Sequence, residues 1–182
     1  MDDARYLDDA KLQLRKIKAM GDRALEQAGE ARWFLKPDPD SNNLAILMKH
    51  VSGNLRSRWT RFLESDGEKP DRNRDTEFEL DPADSPARLR DRWNEGWRIL
   101  FETLDSLKPG DLERTVPIRG EPHSVLQAIN RQVSHYSLHV GQMIFLAKHL
   151  VGPAWTSMSI PKGKSKEYEV AKDGRPYTTG PR

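Results

Sequence analysis

Apolar residues recur at steps of three and four over four separate stretches of this chain, the spacing at which an α-helix lines up one face. The first stretch runs from about Asp2 to Phe34, with Leu7, Leu14, Ile17, Ala24, Leu25 and Ala28 on one side and Gly21 as a point where it can break. It ends before "KPDPDSNN", whose prolines and turn formers stop a helix. The second begins after Ser41, Asn42 or Asn43, all good N-caps, and carries Leu44, Leu47, Met48, Val51, Leu55, Trp59 and Phe62. "ESDGEKPDRNRDTEFELDPADS" then has no helical period. "SPARLRDRW" restarts a helix with Ser85 as cap and Pro86 in the first turn, and Leu89, Trp93, Trp97, Leu100 and Leu104 form its stripe. "LERTVPIRGEPHS" alternates Val116 and Ile118 with turn residues and predicts a brief extended excursion or a hairpin. The fourth helix opens near Ser124 and stops at "VGP".

Four helices of similar length predict an all-α chain folded as a four-helix bundle. The short first connection favours antiparallel neighbours, whereas the long 64–84 connection can travel the length of the bundle and permits a parallel pair. Its charged composition reads as a solvated loop; the functional alternative is a cover over one end of the bundle. From Gly152 onward Trp155, Met158 and Ile160 predict an extended strap against the bundle, so that residues 1–170 make one domain and 171–182 a flexible tail.

A length of 182 residues suits one domain, and the apolar 36% is clustered enough for a core despite 32% charged residues. The net charge of +2 gives no argument for a nucleic-acid partner. The absence of cysteine excludes disulfides, thiolate metal ligands and a cysteine nucleophile, leaving His, Asp or Glu for any metal. With no signal-like start and no run long enough to span a membrane, the expectation is a cytoplasmic protein.

Candidate chemistry sits in "HYSLHVGQ". On a helical wheel His135 and His139 lie together at one margin of the stripe Val125, Ile129, Val133, Tyr136, Val140, Met143 and Ala147, with Gln132 and Gln142 nearby. Two imidazoles one turn apart form either an ordinary polar edge or two-thirds of a metal site. His50, at the edge of the second helix's stripe, meets this pair if helices two and four are neighbours. Three imidazoles with an open position are the usual protein share of a catalytic zinc-type site. His123, before a helix start, and His149, in a last turn where a cation suits the helix dipole, are assigned to no metal.

The stretches "MKHVSGNLRSRWTRFLESDGEKPDRNRDTEFE" and "HYSLHVGQMIFLAKHL…SIPKGKSKEYE" resemble the DinB-like (YfiT-type) metalloprotein superfamily, in a branch described as a domain of unknown function. The resemblance covers roughly residues 5 to 170. It implies a bundle in up-down-down-up order and a divalent metal on one histidine of the second helix and an HxxxH pair of the last, here His50, His135 and His139. It also implies a homodimer and a small-molecule substrate. Characterised members are thiol transferases and a thiol-dependent isomerase, and others are described as hydrolases.

An ion on three imidazoles serves either chemistry, by deprotonating a thiol or by acidifying water. With no cysteine in the chain, the thiol would be a small-molecule cosubstrate. Zinc or nickel is the favoured ion, with iron, copper or manganese open. No general base stands between the ligands, where Tyr136, Ser137 and Leu138 lie. Asn54 and Gln142 are candidates to orient ligand rings, or else bridge helices; Arg58, Arg72 and Arg74 are candidates to grip an anionic cosubstrate, or else solvated charges. Tyr136 reads as a core residue with a satisfied hydroxyl. The alternative from another class is a non-catalytic dimeric metal-binding protein that stores, senses or is stabilised by its ion.

Overall fold

A computed structural model describes residues 2–167 of the chain. It is mostly helical: α1 (Asp3–Ala28), α2 (Leu44–Trp59), α3 (Pro86–Ser106) and α4 (Val125–Val151), with a two-stranded antiparallel sheet of β1 (Thr115–Ile118) and β2 (Glu121–Ser124) before α4. The caps follow the sequence. Asn43 accepts from the Ile46 amide, Ser85 from that of Arg88, and Ser124 with Gln127 forms a reciprocal capping box.

Two boundaries differ from expectation. The first helix is unbroken at Gly21 but ends at Ala28, six residues before Phe34. Gly29 takes φ 71°, a left-handed backbone that closes the helix, and a 3₁₀ turn over Glu30–Arg32 carries the chain on. Trp33 keeps the apolar rhythm because it folds back fully buried, its indole N–H donating to the Leu25 carbonyl. Phe62 is buried but lies past the end of α2. The hairpin that "LERTVPIRGEPHS" predicted adds two short strands to the all-α expectation. Arg119 and Gly120 form its two-residue turn, both at positive φ (56° and 75°). Asp66 accepts from both their amides, at 2.8 and 2.7 Å, and so ties the turn to the 64–84 connection.

The helices associate chiefly as α1 with α4 and α2 with α3. Tyr6 donates to Asn130 near the start of both α1 and α4, and Gln27 in the last turn of α1 meets Thr156 beyond the end of α4. Gly96 of α3 has no room for a side chain because Leu55 and the Ser52 carbonyl lie against it, which lets α2 and α3 approach closely. Trp33, Trp59, Trp93, Trp97 and Tyr136 are the largest fully buried side chains of the core. Trp155 and Met158 lie half-buried against that core as the strap expectation required, whereas Ile160 is exposed. The proposed tail, 171–182, lies outside the described residues.

Candidate metal centre

α2 is the most enclosed helix: besides its apolar stripe, His50, Ser52, Asn54, Ser57 and Arg58 are all buried. Burying such groups is unfavourable unless each is paired, and most of the partners come from the 64–84 connection. Glu77, at 6% exposure, accepts from His50 Nδ1 at 2.9 Å and from Arg72 through Nε and Nη2 at 2.8 and 2.9 Å. The loop read as solvated is therefore folded over α2. Phe78 stacks on the His50 ring at 4.7 Å between centroids, and the Arg74 guanidinium sits over Phe78. Gly53 is required beneath it, because a Cβ there would collide with the Glu77 carboxylate.

His50 faces α4. Its Nε2 lies 3.4 Å from His135 Nε2, which is 3.2 Å from His139 Nε2. One ligand atom from each ring lies within 4.8 Å of the others, so the three histidines could hold a metal ion. Two tautomers follow from the partners: Nδ1–H of His50 donates to Glu77 and Nδ1–H of His139 donates to Gln142 Oε1 at 2.9 Å, turning both Nε2 lone pairs inward. His135 Nδ1 is buried with no hydrogen-bond partner among the described residues. Burial, reinforced by His139, His50, Arg58 and Arg72, lowers the His135 pKa to about 3, and burial also lowers that of His139. The cluster therefore keeps at least these two rings neutral at pH 7, the form in which imidazole binds a metal. Glu77 is lower than an ordinary carboxylate: burial pushes it up, and the hydrogen bonds from Arg72 and His50 outweigh that.

Of the sequence candidates, the structure brings His50, His135 and His139 together and sets Gln142 against His139. Asn54 does not touch a histidine. It accepts from the Tyr136 hydroxyl at 3.1 Å, and that hydroxyl accepts from the Trp59 indole at 3.0 Å, so Tyr136 is the satisfied core residue expected. Arg58 donates to the Gly67 carbonyl and to Glu68, and Arg72 is spent on Glu77, so both serve the loop rather than an anionic cosubstrate. His123 sits in β2 and His149 is exposed in the last turn of α4.

Glu77 is the residue that sequence reasoning missed. Its one signal is "EFEL", an alternation of acidic and apolar residues inside a polar loop, and this does not separate Glu77 from Glu79.

Among the described residues no helix is long and apolar enough to cross a membrane. No curated protein and no solved structure matches the chain. A family model matches residues 2–164, nearly the whole chain, which therefore belongs to the family described as protein of unknown function (DUF1572).

Proposed function

We propose that this protein is a DinB-like metal-dependent enzyme, an up-down-down-up four-helix bundle that holds a divalent ion on His50, His135 and His139. The observation that carries this reading is the convergence of three Nε2 atoms, two of them turned inward by hydrogen bonds at Nδ1. Lone pairs facing one another at such distances repel unless a proton or a cation lies between them. An acceptor behind a ligand imidazole is the usual outer support of a metal-binding histidine. The donor set, three imidazoles, suits zinc or nickel, with iron, copper or manganese as further candidates. The bundle order is supported by the pairing of α1 with α4 and by the His50 contacts that join α2 to α4.

A bound ion would supply a Lewis acid able to activate a small-molecule thiol for transfer, or a water for hydrolysis. The chain's own residues fix His50 against Glu77 and leave His135 and His139 half-buried, so a small substrate can approach from the α4 side. That accessibility favours an enzyme over a storage or structural site, which would be sealed. A homodimer, implied by the resemblance, and a cytoplasmic location complete the reading.

Elemental analysis of protein purified without an affinity tag tests the centre, beside a variant carrying His50→Ala, His135→Ala and His139→Ala. Near-stoichiometric metal in the wild type and none in a variant with the same helical circular dichroism is expected. Negligible metal in both after reconstitution with divalent ions would overturn it.

A further inference from the structure

A cavity of about 720 Å³ opens between α2 and α3 on the side where residues 69–77 cross them, and it is lined by neither His50, His135 nor His139. Its volume lies in the range of small-molecule sites, roughly 300–1,000 Å³. Ser52 and Gly53 of α2 and Gly96 of α3 leave that part of the wall with little side-chain bulk. Ser52 has a buried hydroxyl with no hydrogen-bond partner among the described residues.

The charges around the cavity do not cancel. Lys49 is matched by Asp84, Arg56 by Asp71, Arg61 by Glu64 and Arg72 by Glu77, while Glu95 is held by Arg98. Three cations of the lining remain. Arg88 has no ion pair among the described residues. Arg92 reaches Asp84 only at 3.5 Å, a carboxylate that Lys49 already holds at 2.7 Å. Lys69 donates to the Asp66 backbone carbonyl and makes no ion pair among the described residues; burial draws its pKa down, and the Asp66 and Asp71 carboxylates oppose that. Against these stands Asp81, whose carboxylate accepts from the Ala83 amide.

We propose that this cavity is a binding site for a small anion carrying phosphate or carboxylate groups, gripped by Arg88, Arg92 and Lys69. Arginine in pairs is suited to both groups because its planar fork matches two oxygens at once. Arg88 and Arg92 stand one turn apart on α3, so they present two such forks on one face. The site does not depend on a metal at the histidines, although Glu77 and Arg72 border both.

Calorimetric titration of the full chain at low ionic strength tests this, with inorganic pyrophosphate in one arm and citrate in the other. Saturable one-to-one binding of either anion is expected, weakened at least tenfold by Arg88→Gln with Arg92→Gln and unchanged by Arg131→Gln with Lys148→Gln, an exposed pair on α4. The arm that binds tells phosphate from carboxylate chemistry. Repeating the titration on His135→Ala with His139→Ala separates this site from an anion caught by a metal. Binding lost there but kept in the Arg88/Arg92 variant would overturn the proposal. So would the absence of saturable heat in both arms, or equal weakening by the α4 pair.

Discussion

Replacing Glu77 by Gln keeps the side chain's shape and removes its charge. Arg72, whose side chain is 5% exposed, then keeps only Glu68, at 3.4 Å, as a counter-ion. Removing one partner of a buried pair costs roughly 3–5 kcal/mol, because the other is left charged and desolvated. Here the Gln amide oxygen still accepts one hydrogen bond and Glu68 offsets part of the charge, so a loss of about 2–3 kcal/mol is expected at pH 7. Equilibrium urea unfolding followed by tryptophan fluorescence, in a chelator so that no ion contributes, measures it. Adding Arg72→Met removes the stranded charge and should return about 1–2 kcal/mol. The pH dependence has a definite sign. Glu77 titrates below its ordinary 4.5 in the folded protein, so its contribution is present above that value and is lost as pH falls through the folded pKa. The difference between wild type and Glu77→Gln should therefore shrink in acid. A loss below about 1 kcal/mol at pH 7, or a double variant no better than Glu77→Gln alone, would refute the view that the loop is anchored by this charge.

Gln142→Ala should lower metal affinity about tenfold, measured by competition with a chromophoric chelator, with unfolding stability unchanged because Gln142 is exposed. Tyr136→Phe leaves the Trp59 indole N–H and Asn54 Oδ1 without their shared partner in the core, a cost of about 1–3 kcal/mol in urea unfolding, with metal stoichiometry unaltered. Gly53→Ala drives a methyl into the Glu77 carboxylate, which Arg72 and His50 hold in place. It should cost about 1–3 kcal/mol, against a gain of about 0.5–1 kcal/mol for Gly141→Ala, an exposed position inside α4 where nothing lies within 4 Å. Chelated wild type should lose stability as pH falls from about 6.5 toward about 3, since the unfolded chain takes up a proton on residue 135 before the folded one does. His135→Gln should flatten that slope, and an identical slope in the two proteins would remove His135 as its source.

What could be read in the sequence was local. Ser85 caps α3 as expected, Asn43 is the one of three candidates that caps α2, and α4 opens at Ser124 as expected, since a cap depends on the next three residues alone. The stripes of α3 and α4 are buried almost position for position, because a surface helix must hide one face. The end of α1 was not legible, because Trp33 and Phe34 continue the apolar rhythm that Gly29 interrupts. The histidine trio was legible as a pair plus a conditional third, the condition being the contact of α2 with α4. Glu77 was beyond reach. Its role rests on contacts with a residue 27 positions away, and no periodicity in an irregular loop forecasts which carboxylate will turn inward.

The loop and the cluster explain each other through the polarity of α2. A 16-residue helix with His50, Asn54, Ser57 and Arg58 all buried cannot be covered by apolar neighbours alone. Asn54 turns to the Tyr136 hydroxyl of α4, whereas Ser57 and Arg58 bond Gly67 and His50 bonds Glu77. The 64–84 connection thus replaces the water those groups would otherwise need; Arg58 of α2 neutralises its Glu68 in return, while Glu77 is also paired within the connection by Arg72. The result is asymmetric: His50 is held from behind by a buried carboxylate, while His139 is held by an exposed amide and His135 Nδ1 by no partner among the described residues. Were an ion bound, His50 would be its anchored ligand and the two α4 rings its less constrained ones. Glu77→Gln should therefore weaken metal retention more than Gln142→Ala, and the reverse order would place the anchor on α4 instead.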